Sequence, residues 1–195
     1  MKKKTIALVI ASMLVFGIVA GATVAWLQDK TATVENTFTV GDIDIKLTES
    51  ELAADGKTIN PASQVTQQAN KYKVVPGSDI TKDPRITFEK DSEACWLFVK
   101  VEKSENWADT GMTFSIEEGW TELTSGSGIY YRKLSADQAK KNQEYYILAD
   151  NKITVPDTLV KDNLTAASTA SLKFTAYAIQ SDNLDTAQAA WDEVN

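Results

Sequence analysis

Apolar and polar residues alternate with a period of two along much of this chain, and this pattern restricts the fold more than any other feature. Ile43, Ile45 and Leu47 alternate with polar residues, which is typical of a strand with one buried and one hydrated face. Residues 93–103 form the strongest such segment. Its two faces carry Cys95, Leu97, Val99 and Val101 on one side and Ala94, Trp96 and Phe98 on the other. Apolar residues on both faces at its start indicate a central strand.

Turn signals separate the strand patterns and indicate the fold class. Pro76-Gly77 is typical of a type II turn. Glu118-Gly119, between the apolar segments 112–117 and 120–123, predicts a hairpin. Strands do not alternate with helices in the βαβ manner, which argues against a parallel α/β sheet. We therefore predict an all-β fold, an antiparallel jelly-roll-like β-sandwich.

Two segments depart from the strand pattern. Residues 50–70 are polar, and we predict a surface insertion there with one short helical turn near residues 62–69. Residues 185–194 predict a short C-terminal helix with Asp185 as its candidate cap. The apolar face of that helix would carry Ala187, Ala190, Trp191 and Val194. We expect one β-sandwich domain over residues 26–195.

The N-terminus has the three parts of a secretory signal peptide. Lys2, Lys3 and Lys4 precede an apolar run over residues 6–20, and small residues follow at 21–25. We predict a helical signal peptide over residues 1–25. A membrane anchor is the alternative, because the apolar stretch can be extended as far as residue 27. No cationic cluster follows it, so we expect cleavage, export and no permanent membrane anchor.

Two cleavage positions fit the small residues that follow the apolar run. Ala20 and Ala22 would direct cleavage that leaves Thr23 first. Thr23 and Ala25 would direct cleavage that leaves Trp26 first. The residues alone leave both positions open.

Composition excludes several classes of chemistry. The sequence has no histidine, which removes His-ligated zinc and the Ser-His-Asp and Cys-His arrangements. Cys95 is the single cysteine, so no disulfide can form within the chain, and its apolar neighbours predict a buried core residue. The formal net charge of −7 argues against nucleic acid as a partner. We expect no catalytic activity and no cofactor.

Three weaker patterns have simpler explanations. Asp109-Thr110-Gly111 matches the short signature of aspartic proteases, but the chain has no second copy, and a turn explains it. Calcium could bind the aspartate pairs Asp42/Asp44 and Asp79/Asp83, but a hydrated polar face is the favoured interpretation.

Four tyrosines could form an aromatic ligand patch, although alternation would bury half of them. They are Tyr130, Tyr131, Tyr145 and Tyr146.

Six stretches of the sequence carry a resemblance to a known family: residues 21–29 (GATVAWLQD), 36–45 (NTFTVGDIDI), 75–77 (VPG), 82–84 (KDP), 92–101 (SEACWLFVKV) and 174–180 (FTAYAIQ). They resemble the TasA/camelysin family of exported proteins of Gram-positive bacteria. The last four resemble the branch called alternate-signal-mediated exported proteins. The resemblance implies processing after Ala25 by the dedicated signal peptidase SipW, which would leave Trp26 first. It also implies a jelly-roll fold.

The resemblance further implies an assembly mechanism, because TasA-like members build extracellular biofilm fibres in which one subunit's N-terminal strand completes the next subunit's sheet. Carried onto this chain, the donor strand would be about residues 26–38. Its apolar residues are Trp26, Leu27, Ala32, Val34 and Phe38. A newly released apolar strand favours burial, and a sheet edge accepts a strand. Pairing within its own subunit is the alternative.

The sequence therefore predicts a secreted, non-catalytic cell-surface or biofilm-matrix protein, with a fibre subunit as its most specific form. A monomeric exported adhesin or ligand-binding module is the alternative. Camelysin relatives carry a metallo-endopeptidase label, which would make a secreted protease the third hypothesis. That activity is not transferred, because this sequence has no histidine and no recognisable metal triad.

Overall fold

The computed structural model describes residues 34–36, 43–60, 65–66 and 70–194. The predicted signal peptide, both cleavage positions and the predicted donor-strand residues Trp26, Leu27, Ala32 and Phe38 lie outside these ranges. The described strands are β1 (Val34–Asn36), β2 (Ile45–Ser50), β3 (Val65–Thr66), β4 (Asp79–Thr81), β5 (Arg85–Phe88), β6 (Cys95–Lys103), β7 (Thr121–Glu122), β8 (Ile129–Leu134), β9 (Glu144–Tyr146), β10 (Lys152–Thr154) and β11 (Leu172–Gln180). The described α-helices are α1 (Lys161–Ala167) and α2 (Ala187–Val194).

The described strands form three sheets. The largest has the order β1-β11-β6-β8-β7, the second has the order β3-β2-β5-β9, and β10 pairs with β4. Every pairing is antiparallel except that of β1 with β11, which is parallel. The prediction of a mainly β structure with antiparallel sheets and a short C-terminal helix is therefore confirmed.

The main core lies between the two larger sheets, because its buried residues come from both. Leu47 and Phe88 of the second sheet belong to the same apolar cluster as Leu97, Val99 and Phe174 of the first. Burying these side chains fully contributes about 1.5–3 kcal/mol each. The two layers thus stabilise each other through a shared apolar interior.

Alternate side chains of strand β6 lie in two different apolar clusters, as its sequence predicted. Cys95, Leu97 and Val99 lie in the main core, whereas Trp96 and Phe98 lie in a second cluster on the other face. Both faces of the strand are covered, so β6 is central to the sheet.

Helix α2 covers that second face. Trp191 packs against Phe98, with ring centroids 5.4 Å apart, and against Tyr177, with centroids 5.0 Å apart. Ala187 and Ala190 are also buried there, which confirms the predicted apolar face. The cap differs from the prediction, because Oγ1 of Thr186, and not Asp185, accepts the N–H of Ala189.

The structure differs from the local sequence-based expectations at three places. Residues 112–117 do not form a hairpin with 120–123; Thr113 and Ile116 bridge to Thr154 and Leu148, and β7 pairs with β8. Val65–Thr66 is a strand on β2 where a helical turn was predicted. Helix α1 was not predicted. Each difference comes from pairing or packing between distant segments, which local patterns do not encode.

Candidate assembly edge and buried charged clusters

The N-terminal segment pairs with β11 at an outer position of the large sheet. Val34, Glu35 and Asn36 are in parallel register with Phe174, Thr175 and Ala176. Strand β11 pairs with β6 along its whole length on its other side, so β1 is the last described strand of this sheet. We call this pairing of β1 with residues 174–176 the assembly edge.

Strand β1 also lies near the second sheet, because β2 is close to both β1 and β11. The assembly edge is therefore a seam at which the two sheets of the sandwich approach each other. A strand that occupies such a seam contributes backbone hydrogen bonds to one sheet and covers the interior between both. The described part of the predicted donor strand occupies this position within its own chain.

Beneath the seam lies a group of polar side chains that we call the Glu49 cluster: Glu49, Asn70, Tyr72 and Lys82. Glu49 is 0% exposed and Lys82 is 1% exposed. The Lys82 Nζ atom donates to Glu49 Oε2 over 2.7 Å, and Asn70 Nδ2 donates to Glu49 Oε1 over 2.9 Å. The Tyr72 hydroxyl lies 3.2 Å from Glu49 Oε2 and 3.3 Å from Lys82 Nζ. One carboxylate thus joins an amine, an amide and a phenol.

The electrostatics of the Glu49 cluster are those of an apolar interior. Burial, and next the charge of Glu49, raises the pKa of Tyr72 well above its usual 10.0. Tyr72 therefore keeps its proton. The Lys82 Nζ atom also lies 5.4 Å from the ring centroid of Phe174 on β11, so the cluster adjoins the assembly edge.

A second group, the Asp83 cluster, consists of Ser50, Asp83, Arg85 and Glu144. Arg85 Nη1 donates to Asp83 Oδ2 over 2.6 Å, and Arg85 Nε donates to Glu144 Oε1 over 3.0 Å. The backbone N–H and the hydroxyl of Ser50 also donate hydrogen bonds to the Asp83 carboxylate, over 2.8 and 2.7 Å. Asp83 and Arg85 are buried, whereas the side chain of Glu144 is 39% exposed.

A small cavity of about 40 Å³ borders the Glu49 cluster. Tyr72 and Lys82 contribute its polar side, and Trp107, Met112 and Leu172 contribute apolar walls. A cavity of this size has room for a water molecule rather than for a metabolite or a peptide side chain. It therefore gives no support to a ligand-binding function.

The sequence-predicted candidate residues fall in separate places. Asp109 lies in a 3₁₀ helix (Glu105–Thr110) that ends at Gly111, which has a φ of 66° and adopts the left-handed conformation. Asp83 is ion-paired inside the protein, so the hydrated position expected for it is wrong, and Asp79 lies near Lys152 on β10, so the two aspartates do not share a calcium site. Asp42 lies outside the described residues.

Cys95 and the tyrosines also find structural roles. Cys95 is buried as predicted, and burial raises the pKa of its thiol to about 12. Tyr145 is buried and donates to the carbonyl of Gln138, whereas Tyr131 stacks edge-on with Trp96. The tyrosines therefore do not form one ligand patch.

The Glu49 cluster escaped sequence analysis, although one signal was present. Glu49 continues the odd-numbered series of Ile43, Ile45 and Leu47, so the alternation places it on the buried face of β2. A carboxylate at a core position needs a cationic or hydrogen-bonding partner. Lys82 fills that role from the segment after β4, at a sequence distance that no local pattern reveals.

Among the described residues, no three His, Cys, Asp or Glu side chains lie close enough together to hold a metal ion. Within the same ranges, no helix has the length and apolar character required to cross a membrane. The acidic side chains that are buried, Glu49 and Asp83, are already bonded to cations and hydrogen-bond donors. The described part of the chain therefore does not fit a catalytic metal centre.

Comparison with known proteins gives one positive finding. The sequence model described as camelysin metallo-endopeptidase matches residues 1–174. Searches of curated proteins and of solved structures gave no match. The family match spans most of the sequence, including β1 and both charged clusters, so this chain belongs to the camelysin metallo-endopeptidase family.

Proposed function

We propose that this protein is a secreted matrix or cell-surface subunit that assembles into fibres through its N-terminal strand. The observation that carries the proposal is the parallel pairing of β1 with β11 at the assembly edge. Family membership supports a secreted protein of the matrix or fibre type in general. The acidic composition favours solubility before assembly.

Strand exchange between copies would use the same backbone pairing. Cleavage after Ala25 would release residues 26–38 as a strand that carries Trp26, Leu27, Ala32, Val34 and Phe38. When the strand of one copy occupies the assembly edge of the next, the contact is head-to-tail, and repetition produces a filament. A SipW-like signal peptidase would be the partner during export. Sequencing the N-terminus of secreted material tests this step, with Trp26 expected first.

The protein acts without catalysis under this proposal, despite the family's metallo-endopeptidase description. The sequence contains no histidine, its one thiol is buried, and its buried carboxylates are occupied. Purified protein should leave casein intact with or without added zinc. Cleavage that follows the protein through purification and stops with a chelator would refute the non-catalytic role.

Mixed cysteine variants test which copy supplies the strand. Glu35 and Thr175 are register partners, so Glu35→Cys and Thr175→Cys are made in separate proteins. When the two are mixed before assembly, strand exchange predicts a disulfide-linked dimer on a non-reducing gel. The native Cys95 interferes little, because it is buried and its thiol pKa is raised to about 12.

The alternative, a monomeric exported adhesin or binding module, is favoured by the pairing of β1 within its own chain. It predicts no dimer from the mixed variants and an intrachain disulfide in the Glu35→Cys/Thr175→Cys double variant.

Electron microscopy provides a second test of the fibre proposal. Under that proposal, deletion of residues 26–38 should abolish filaments while the monomer stays folded. A synthetic peptide of residues 26–38 should shorten wild-type filaments, whereas the same peptide with Val34→Pro should not.

A further inference from the structure

We propose that the Glu49 cluster forms an intramolecular isopeptide bond between Lys82 and Asn70, with Glu49 as the catalytic acid and base. The bond would join the side-chain nitrogen of Lys82 to the side-chain carbonyl carbon of Asn70. The bond is a covalent modification within one subunit and does not depend on fibre assembly.

The geometry supplies the three groups that the reaction needs. Lys82 is the nucleophile, Asn70 the acceptor, and the carboxylate of Glu49 lies between them, with Lys82 Nζ 2.7 Å from Oε2 and Asn70 Nδ2 2.9 Å from Oε1. Asn70 is held further by Nδ2 donation to the carbonyl of Ser50 at 2.9 Å. Nucleophile and acceptor are thus positioned on the two oxygens of one carboxylate.

The surroundings favour reaction of an otherwise inert pair. A lysine attacks only as the neutral amine, and water normally keeps it protonated. Here Lys82 and Glu49 are fully buried next to the ring of Phe174. In such a medium neither charge is hydrated, so water does not hold the shared proton on the amine of Lys82. The Tyr72 hydroxyl, which stays protonated, can donate to the groups left behind.

The step balances without any co-reactant. The Lys82 ammonium gives one proton to Glu49 Oε2, and the neutral amine attacks Cγ of Asn70 to form the carbon–nitrogen bond. A second proton leaves the attacking nitrogen, and a proton delivered through Glu49 Oε1 reaches Nδ2 of Asn70. The bond between Cγ and Nδ2 then breaks and ammonia departs. The products are a secondary amide, a neutral Glu49 and ammonia, so the ion pair no longer exists in the core.

The bond would fasten the end of the polar segment 50–70 to the strand region around β4. Asn70 is the last residue of that segment, and Lys82 directly follows β4. The chain has one cysteine and so no intrachain disulfide, which leaves an isopeptide as the covalent cross-link that these residues can form. Such a link would resist heat, denaturant and reducing agent alike.

Mass spectrometry of the denatured full-length secreted protein tests the proposal. Trypsin should release one linked species in place of separate peptides, because the modified Lys82 is not cleaved. The species combines residues 58–71 with residues 74–85, and its mass is lower than their sum by one ammonia. Fragmentation should locate the link between Asn70 and Lys82. We expect this species in nearly all molecules.

Three variants provide matched controls. Asn70→Ala should give free peptides 58–71 and 74–82 while leaving the far-UV circular dichroism unchanged, because Asn70 is only half-buried. Lys82→Arg keeps the charge opposite Glu49 and should likewise give no link. Asn70→Asp should restore the link, since loss of water in place of ammonia leads to the same amide and therefore to a linked peptide of identical mass.

Two results would overturn the proposal. One is a folded wild-type protein that yields complete cleavage after Lys82 and an unmodified peptide 58–71. The other is a loss of one water with a link from Lys82 to Glu49, which would show that Glu49 and not Asn70 is the acceptor. Glu49→Gln separates catalysis from proximity: it should abolish the link in folded protein although Lys82 and Asn70 remain.

Discussion

Arg85 allows a direct comparison of a buried and an exposed partner of the same cation. Its guanidinium bonds to Asp83, whose side chain is 8% exposed, and to Glu144, whose side chain is 39% exposed. We predict that Asp83→Asn destabilises the protein by about 3–5 kcal/mol, because it leaves a buried charge without its closest counterion. Glu144→Gln should cost about 0–1 kcal/mol, since water and salt screen that pair.

The local hydrogen bonds add to the cost of Asp83→Asn. The carboxylate accepts from the Ser50 backbone N–H, from its hydroxyl and from Arg85, at 2.6–2.8 Å. An amide offers one oxygen and places its own NH₂ group against one of these donors. The substitution preserves shape, so the loss of stability reports on charge and hydrogen bonding rather than on a cavity.

Urea unfolding followed by far-UV circular dichroism measures both changes. With a slope of about 1–3 kcal/mol per molar urea, a difference of about 3 kcal/mol separates the two midpoints by roughly 1 M or more. Asp83→Asn combined with Arg85→Met should recover part of the loss, because no buried charge then remains unpaired, whereas the Glu144 carboxylate is partly exposed to water. Equal midpoints for Asp83→Asn and Glu144→Gln would show that burial does not control the strength of these pairs.

Three further predictions follow from other parts of the fold. Trp191→Ala should lower the free energy of unfolding by about 3–5 kcal/mol in the same urea assay, because it removes the ring between Phe98 and Tyr177, whereas Glu193→Ala on the exposed face should change little. Cys95 should resist a thiol reagent at pH 8 in folded protein and react on unfolding, since burial raises its pKa to about 12; rapid labelling of the native state would contradict the buried position. Asp55 should titrate by NMR with a pKa of about 2 against its usual 3.8, chiefly because the N–H groups of Thr58 and Lys57 donate to it. Its contribution to stability is then present above pH 3.8 and is lost as the pH falls towards 2, so the deficit of Asp55→Ala should shrink over that range.

The sequence predicts the structure correctly where a local period encodes it. The alternation in residues 95–101 predicted the central strand β6 and the assignment of its two faces. The helical spacing of Ala187, Ala190 and Trp191 predicted the buried face of α2. Both features depend on repeats of two or 3.6 residues, which a short window reveals.

Partners that are distant in sequence could not be predicted. Glu118-Gly119 forms a turn, but the segments on its two sides bridge to residues 148 and 154 and to β8 instead of to each other. The Glu49–Lys82 pair joins positions 33 residues apart, and the Arg85–Glu144 pair joins positions 59 apart. The parity of Glu49 signals that a buried carboxylate needs a partner, but the identity of that partner depends on the tertiary approach of strands.

The position of the Glu49 cluster connects the interior of the sandwich to its assembly edge. Lys82 Nζ lies 5.4 Å from the ring of Phe174, and Phe174 is the register partner of Val34. Water that enters at the seam hydrates the charges of a buried ion pair and so weakens their attraction for each other. Occupation of the edge by a strand, whether from the same copy or from another, therefore protects the cluster. A neutral isopeptide would remove that dependence, so the subunit core would stay intact while its edge is vacated and filled during assembly.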